Sequence, residues 1–209
     1  MNCMPFSLNL KLPSGMNEDI DSTERISSDT SLSLIMLERI SRDWFKSLYA
    51  PILVTTMKFY LGADHAGYKA KEALKKYLNR KGIGTMDLGA FSIGRVDYPD
   101  FALKVAKKVA KDKKGYGLLV CGTGIGMSIT ANKVKGIRAA NPFNAYTARV
   151  AKEHNDANII CLGGRTYSIE QAKKILGAFI KAKRPSGTRH KKRVKKISGI
   201  ESGKNRKQD

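Results

Sequence analysis

Residues 117–129 read GLLVCGTGIGMSI. Gly117–Cys121 is a continuous apolar run, the pattern of a strand covered on both faces. Gly122, Gly124 and Gly126 then let the backbone turn tightly and come close to an anion. A helix pattern opens at Met127 and runs to Lys133, with its first N–H groups facing back into the loop. Strand, glycine-rich turn and helix in that order make one βα unit, and the chain repeats the unit on both sides.

Upstream, Phe59–Ala63 is a short apolar run, and Tyr68–Lys81 carries Ala70, Leu74, Tyr77 and Leu78 at helical spacing. Ile83–Leu88 reads as a second strand. Pro99–Lys111 reads as a helix with Ala102, Val105, Ala106 and Val109 on one face. Downstream, Ile137–Ala140 and Asn158–Leu162 read as strands, and Pro142–Glu153 and Ser168–Lys183 as helices. Arg189–Ile200 predicts a last, strongly basic helix. Strand–helix alternation at this pitch predicts an α/β fold. Its form is a doubly wound, Rossmann-like parallel sheet of five strands with helices on both faces.

Ligands of an open parallel sheet sit beyond the carboxyl ends of its strands. Asp64-His65-Ala66-Gly67 follow the first strand, and a loop with Arg95, Asp97 and Tyr98 follows the second. Cys121–Gly126 follow the third, Asn141-Pro142 the fourth, and Gly163-Gly164-Arg165 the fifth. The central loop is spaced GxGxG, so it is not the GxGxxG dinucleotide fingerprint, and no GK[ST] follows to make a P-loop. It suits an anionic group or a developing oxyanion. A thiolate is favoured beside a helix start, which makes Cys121 a candidate base or nucleophile. Most cysteines that end a strand are core residues. Cys161, inside a strand, fits that description, whereas the glycines after Cys121 do not. His65 and His154 stand at a strand end and a helix end, where a cap or a satisfied core position is the ordinary reading. Arg189 and Arg193 share a helix face at i,i+4, and with Arg165 they are candidates to clamp a phosphate.

The chain has 209 residues, 39 Lys+Arg, 18 Asp+Glu and a formal charge of +21. Residues 1–56 are net −2, residues 57–180 net +13 and residues 181–209 net +10. Residues 1–56 therefore read as an N-terminal extension, disordered up to about Ser31 by its Ser, Asn and Asp content. Leu34–Tyr49 is a candidate amphipathic helix within it. Residues 57–200 form the compact folded domain in this reading, and residues 201–209 a basic disordered tail. Charges interrupt the apolar stretches, so no membrane span is expected. No secretory or mitochondrial leader is evident at the N-terminus. The three cysteines make neither a disulfide framework nor a CxxC clamp, which points to a reducing, cytoplasmic setting and no metal. The charge raises a polyanion or nucleic acid as partner. No RRM, KH or zinc pattern supports one, and few aromatics interleave with the basic residues.

These stretches resemble the B-type ribose-5-phosphate isomerases, a family that includes galactose-6-phosphate isomerase subunits and allose-6-phosphate isomerases. The matching segments are LGADHAGYKAKE (61–72), DYPDFA (97–102), LLVCGTGIGMSITANKVKGIRAA (118–140), EHNDANIICLGGR (153–165) and GTRHKKRV (187–194). The resemblance implies an aldose–ketose isomerase that interconverts ribose 5-phosphate and ribulose 5-phosphate through an enediol(ate). A six-carbon sugar phosphate is the alternative substrate. Cys121 matches the family's base. Members that use a glutamate carry it six residues later, where this chain has Met127. Thr123 matches a proton-transfer residue, and His154 matches the residue that helps open the furanose ring, with Asp64 beside it. The amides of Gly122, Thr123, Gly124, Ile125 and Gly126 would hold the enediolate. His65, Arg165, Arg189 and Arg193 match phosphate or substrate contacts, and Asn155 a sugar contact. No cofactor is implied. A homodimer with shared active sites is implied, with a tetramer left open.

Overall fold

The computed structural model describes residues 57–203. The candidate helix at Leu34–Tyr49 and the last six residues lie outside them. Five strands form one all-parallel sheet: β1 (Lys58–Ala63), β2 (Gly84–Asp87), β3 (Gly115–Cys121), β4 (Ala139–Ala140) and β5 (Ile159–Gly163). Six helices alternate with or follow them: α1 (Tyr68–Arg80), α2 (Tyr98–Lys111), α3 (Ile125–Ala131), α4 (Ala145–Asn155), α5 (Ile169–Lys181) and α6 (Thr188–Glu201). The strand order is β2-β1-β3-β5-β4. The doubly wound, parallel five-stranded α/β fold expected from the sequence is the fold observed.

The burial pattern explains the strand types. All seven residues of β3 are buried at the centre of the sheet, and its unbroken apolar run is the consequence. β2 is an edge strand and alternates between exposed and half-buried positions. One core joins Phe59, Leu61, Leu118 and Ile160 to Leu74, Ala148 and Leu176 of α1, α4 and α5. On the other face Leu119, Ile159 and Cys161 pack with Val105 of α2 and Met127 of α3. Helices therefore cover both faces.

Element ends depart from the sequence expectation where side chains intervene. α4 starts at Ala145 rather than Pro142. The Asn144 carboxamide accepts from the Thr147 N–H, and the Thr147 hydroxyl accepts from the Asn144 N–H, a reciprocal cap that fixes the start. Ser168 and Gln171 do the same for α5. β4 shrinks to two residues because Asn158 replaces its ladder. The Asn158 side chain accepts from Arg138 N–H at 2.9 Å and donates to Gly136 O at 2.8 Å. α6 buries none of its residues and packs against α4.

Candidate active site

β1 and β3 are neighbours, but the chain leaves them toward opposite edges of the sheet. Their carboxyl ends therefore flank the switch point, where a crevice opens. Backbone bonds lace the turns around it. Asp64 N–H donates to Val120 O at 3.2 Å, Gly164 N–H to Cys121 O at 2.7 Å, and Arg165 N–H to Gly122 O at 3.0 Å. The loops after β1, β3 and β5 thus form one surface.

Cys121 ends β3 and is 5% exposed. Its Sγ accepts the Gly124 N–H at 3.1 Å, and the Ile125 N–H donates to Thr123 Oγ1 at 3.3 Å. The loop amides therefore turn inward around the sulfur and the hydroxyl. Gly124 has φ +82°, and a Cβ there would lie 2.9 Å from the Leu162 carbonyl carbon. At Gly126 a Cβ would meet the Tyr98 ring at 2.6 Å, so the glycine lets that ring close over the loop. Cys161 is fully buried inside β5, and burial followed by the neighbouring Cys121 pushes its thiol up. Cys121 is buried in the same core cluster, so burial does not set the two apart as the sequence reading expects.

Asp64 is 6% exposed, and its Oδ1 accepts the Gly67 N–H at 2.8 Å, closing the turn after β1. His65 Nδ1 lies 3.4 Å from Val96 O. His65, Arg95 and Arg165 line a cavity of about 460 Å³ with Val96 and Asp97. The Arg165 side chain also runs past Gly122, whose Cβ would be 3.7 Å from its Cδ. Two guanidinium groups, the His65 imidazole and the Cys121 loop thus share one rim. Arg95 carries no role in the sequence expectation beyond its place on the rim loop. Its place two residues before Asp97 was the available signal.

That rim loop is fixed from below. Lys71 is fully buried and donates to both Asp87 oxygens at 2.6 and 2.7 Å and to Ala90 O at 2.8 Å. Asp87 also takes Lys75 at 2.7 Å and the Gly89 N–H at 3.0 Å. Burial alone would raise the Asp87 carboxyl, but these bonds outweigh it and hold it below the usual carboxylate value. The sequence reading took Ala70, Leu74, Tyr77 and Leu78 as the apolar positions of α1 and gave Lys71 no part; its partner lies 16 positions on.

A second group of expected site residues lies elsewhere. His154 and Asn155 end α4 and lead into the amino end of β5. Cys121 pairs with Gly163 at the carboxyl end of that strand. The five-residue strand between the two groups is about 13 Å long. His154 stacks on His190 of α6, with ring centroids 4.1 Å apart and planes 5° from parallel. Arg189 and Arg193 flank His190 along α6, and Asn155 O accepts from Arg138 Nε at 3.1 Å. One chain therefore joins Asp64, His65, Cys121–Gly126 and Arg165, and separately joins His154, Asn155, Arg189 and Arg193. It does not bring Asp64 beside His154. Among the described residues no three His, Cys, Asp or Glu side chains gather as a metal site, and no helix is long and apolar enough to cross a membrane.

A family model described as Ribose/Galactose Isomerase matches residues 59–197. The chain belongs to the ribose/galactose isomerase family. It is 40% identical over 148 residues to ribose-5-phosphate isomerase B of Escherichia coli, covering 71% of this chain and 99% of that protein. The corresponding Mycobacterium leprae enzyme is 38% identical over 146 residues, 69% of this chain and 90% of its own. Among solved structures, Clostridium thermocellum ribose-5-phosphate isomerase B superposes with a TM-score of 0.68 at 45% identity, covering 71% of this chain and 100% of that one. The Mycoplasma genitalium enzyme with bound ribulose-5-phosphate gives 0.68 at 38% identity, covering 70% and 97%. The family read from the CGTGIG and EHNDAN segments is thus the family found, and the chain is an isomerase. The match ends at residue 197, inside α6.

Proposed function

We propose that the chain interconverts ribose 5-phosphate and ribulose 5-phosphate through an enediol(ate), with Cys121 as the base. The observation that carries this reading is the sulfur of Cys121 held at 3.1 Å by the Gly124 N–H in a glycine loop at the switch point. The Cys121 thiolate takes the C2 proton of the open-chain aldose, and the electron pair moves through C1–C2 onto O1. Backbone amides of the loop receive the enediolate oxygen. Thr123 Oγ1 passes the O2 proton to O1, and the thiol returns the abstracted proton to C1, leaving the carbonyl at C2. No net oxidation occurs and no cofactor is consumed.

The phosphate is anchored by His65 and Arg165 on one side and by Arg189 and Arg193 on the other. Asp64 shapes the turn at the sugar's reactive end. His154 exchanges the proton that opens the furanose ring, and Asn155 contacts the sugar. The second group must come from a second copy of the chain, because one chain keeps it at the far end of β5. A homodimer with two shared sites follows. Exposed apolar side chains on the rim loops and α3 support it, among them Phe91, Ile93, Ile125 and Phe143. Residues 57–200 carry the reaction, and residues 1–56 are dispensable for it. Free Cys121 and Cys161 suit a reducing compartment, and the cytoplasm is the setting in this reading.

Steady-state assays on ribose 5-phosphate, with allose 6-phosphate in parallel, test the proposal. Turnover of the pentose supports it, turnover of the hexose alone transfers the reading to a six-carbon substrate, and turnover of neither ends it. Cys121→Ala should lower kcat by about 10²–10⁴-fold. Near-normal kcat in that variant would remove Cys121 from the role of base.

A further inference from the structure

The proposed function uses His154 but leaves the ring beneath it without a task. His190 is the third residue of α6, and its imidazole lies parallel to His154 at 4.1 Å. Its Nδ1 is shut off from water with no hydrogen-bond partner among the described residues. Protonating His190 would bury a second N–H there without an acceptor, which costs more than leaving a lone pair unmatched. It would also place a cation beside Arg189 and Arg193 and at the positive end of α6. No carboxylate is at hand to compensate. Glu153 is held by Arg149 at 2.6 Å, and Asp156 by Arg138 at 2.7 Å and Arg184 at 3.4 Å. Lys152, two residues before His154, is buried against the Tyr116 and Phe179 rings. Partial burial, then His154, Arg189 and Arg193, accordingly press the His190 imidazole below its ordinary value of 6.5.

We propose that His190 is a positioning residue that acts through His154, fixing the plane of its ring and leaving proton exchange to it alone. The stack has a second effect. α6 buries none of its residues, so the two rings help to pin it to α4. Arg189 and Arg193 are thereby delivered to the same corner as His154. The inference rests on the isomerase reading, in which His154 opens the sugar ring. It goes beyond that reading by giving His190 a role that needs no contact with substrate.

The test uses the full chain with His190→Ala and His190→Phe, the second of which keeps a stacking ring but cannot carry a proton. His190→Ala should lower kcat by about tenfold or more with a smaller change in KM, and His190→Phe should recover most of the loss. In NMR spectra of the histidine-labelled protein, the His154 Cε1–H should carry a ring-current shift that is lost in the alanine variant and kept in the phenylalanine variant. The His190 signal should titrate below 6.5, and His190→Phe should keep the acid limb of the wild-type kcat profile. Wild-type kcat in His190→Ala overturns the inference, as does a phenylalanine variant as slow as the alanine one or one that has lost the acid limb. If the wild type turned over no sugar phosphate, the functional reading would fail. The ring-current comparison would still decide whether His190 orients His154.

Discussion

The amide of Gly124 donates to the sulfur of Cys121 across 3.1 Å. This contact ties the end of the central strand to the turn before α3, so the loop's geometry and the proposed base depend on the same backbone conformation. Gly124 can adopt it because φ is +82°, which costs an L-residue about 1–2 kcal/mol. Gly124→Ala adds that strain to a contact of 2.9 Å with the Leu162 backbone. The expected outcome is a lower thermal midpoint and a much lower kcat, because the amide leaves the sulfur. Calorimetry and steady-state kinetics on the same preparation would check both. An alanine variant with wild-type kcat would show that the contact is dispensable.

Separation of His154 from Cys121 along β5 leads to a complementation experiment. In the proposed dimer, Cys121→Ala and His154→Ala would each disable one half of every shared site. After the two variants are unfolded together and refolded, mixed dimers hold one site with both lesions and one with none. Statistical pairing would restore about a quarter of wild-type activity. Activity that stays at the level of the separate variants would argue for sites complete within one chain.

Arg95 faces the same cavity as His65 and Arg165. A charge-assisted hydrogen bond to a phosphate is worth about 1.5–3 kcal/mol. Arg95→Ala should therefore raise KM for the sugar phosphate by roughly tenfold or more while changing kcat less. Inhibition by inorganic phosphate should weaken in parallel. An unchanged KM would leave Arg95 on the wall of the cavity without a binding role.

The Lys71–Asp87 pair under the rim loop governs acid stability. The folded-state value of Asp87 is depressed below 3.8, so its stabilisation is complete at neutral pH. That contribution is lost as pH falls below 3.8 through the depressed value. Asp87→Asn should destabilise the protein at pH 7 and flatten the acid side of the stability profile, as read from urea midpoints. Lys71→Met should cost roughly 2 kcal/mol, because Lys75 and the Gly89 N–H still hold the carboxylate. It should also loosen the loop that carries Arg95. A stability profile with the wild-type acid slope in Asp87→Asn would dismiss the pair as its source.

Local pattern sufficed for much of this molecule. The apolar run of β3, the helical spacing of Ala102, Val105, Ala106 and Val109, and the GxGxG turn each follow from φ/ψ preference and burial within a few residues. They specified the parallel α/β fold and drew attention to Cys121 and Thr123. Short-range chemistry also misled where a side chain took over from the backbone, as Asn158 does at β4 and Asn144 at the start of α4. Arg95 beside His65, His190 on His154, and Lys71 under Ala90 were not legible in this way. These residues are 19–36 positions apart in the chain, and sequence spacing carries no information about which turns of a folded sheet become neighbours. The strand order β2-β1-β3-β5-β4 decided that the loops after β1 and β3 would share a crevice. The parallel direction of β4 and β5 sent the end of α4 to the opposite end of the sheet, which is why His154, Asn155, Arg189 and Arg193 stand apart from the Cys121 loop in a single chain.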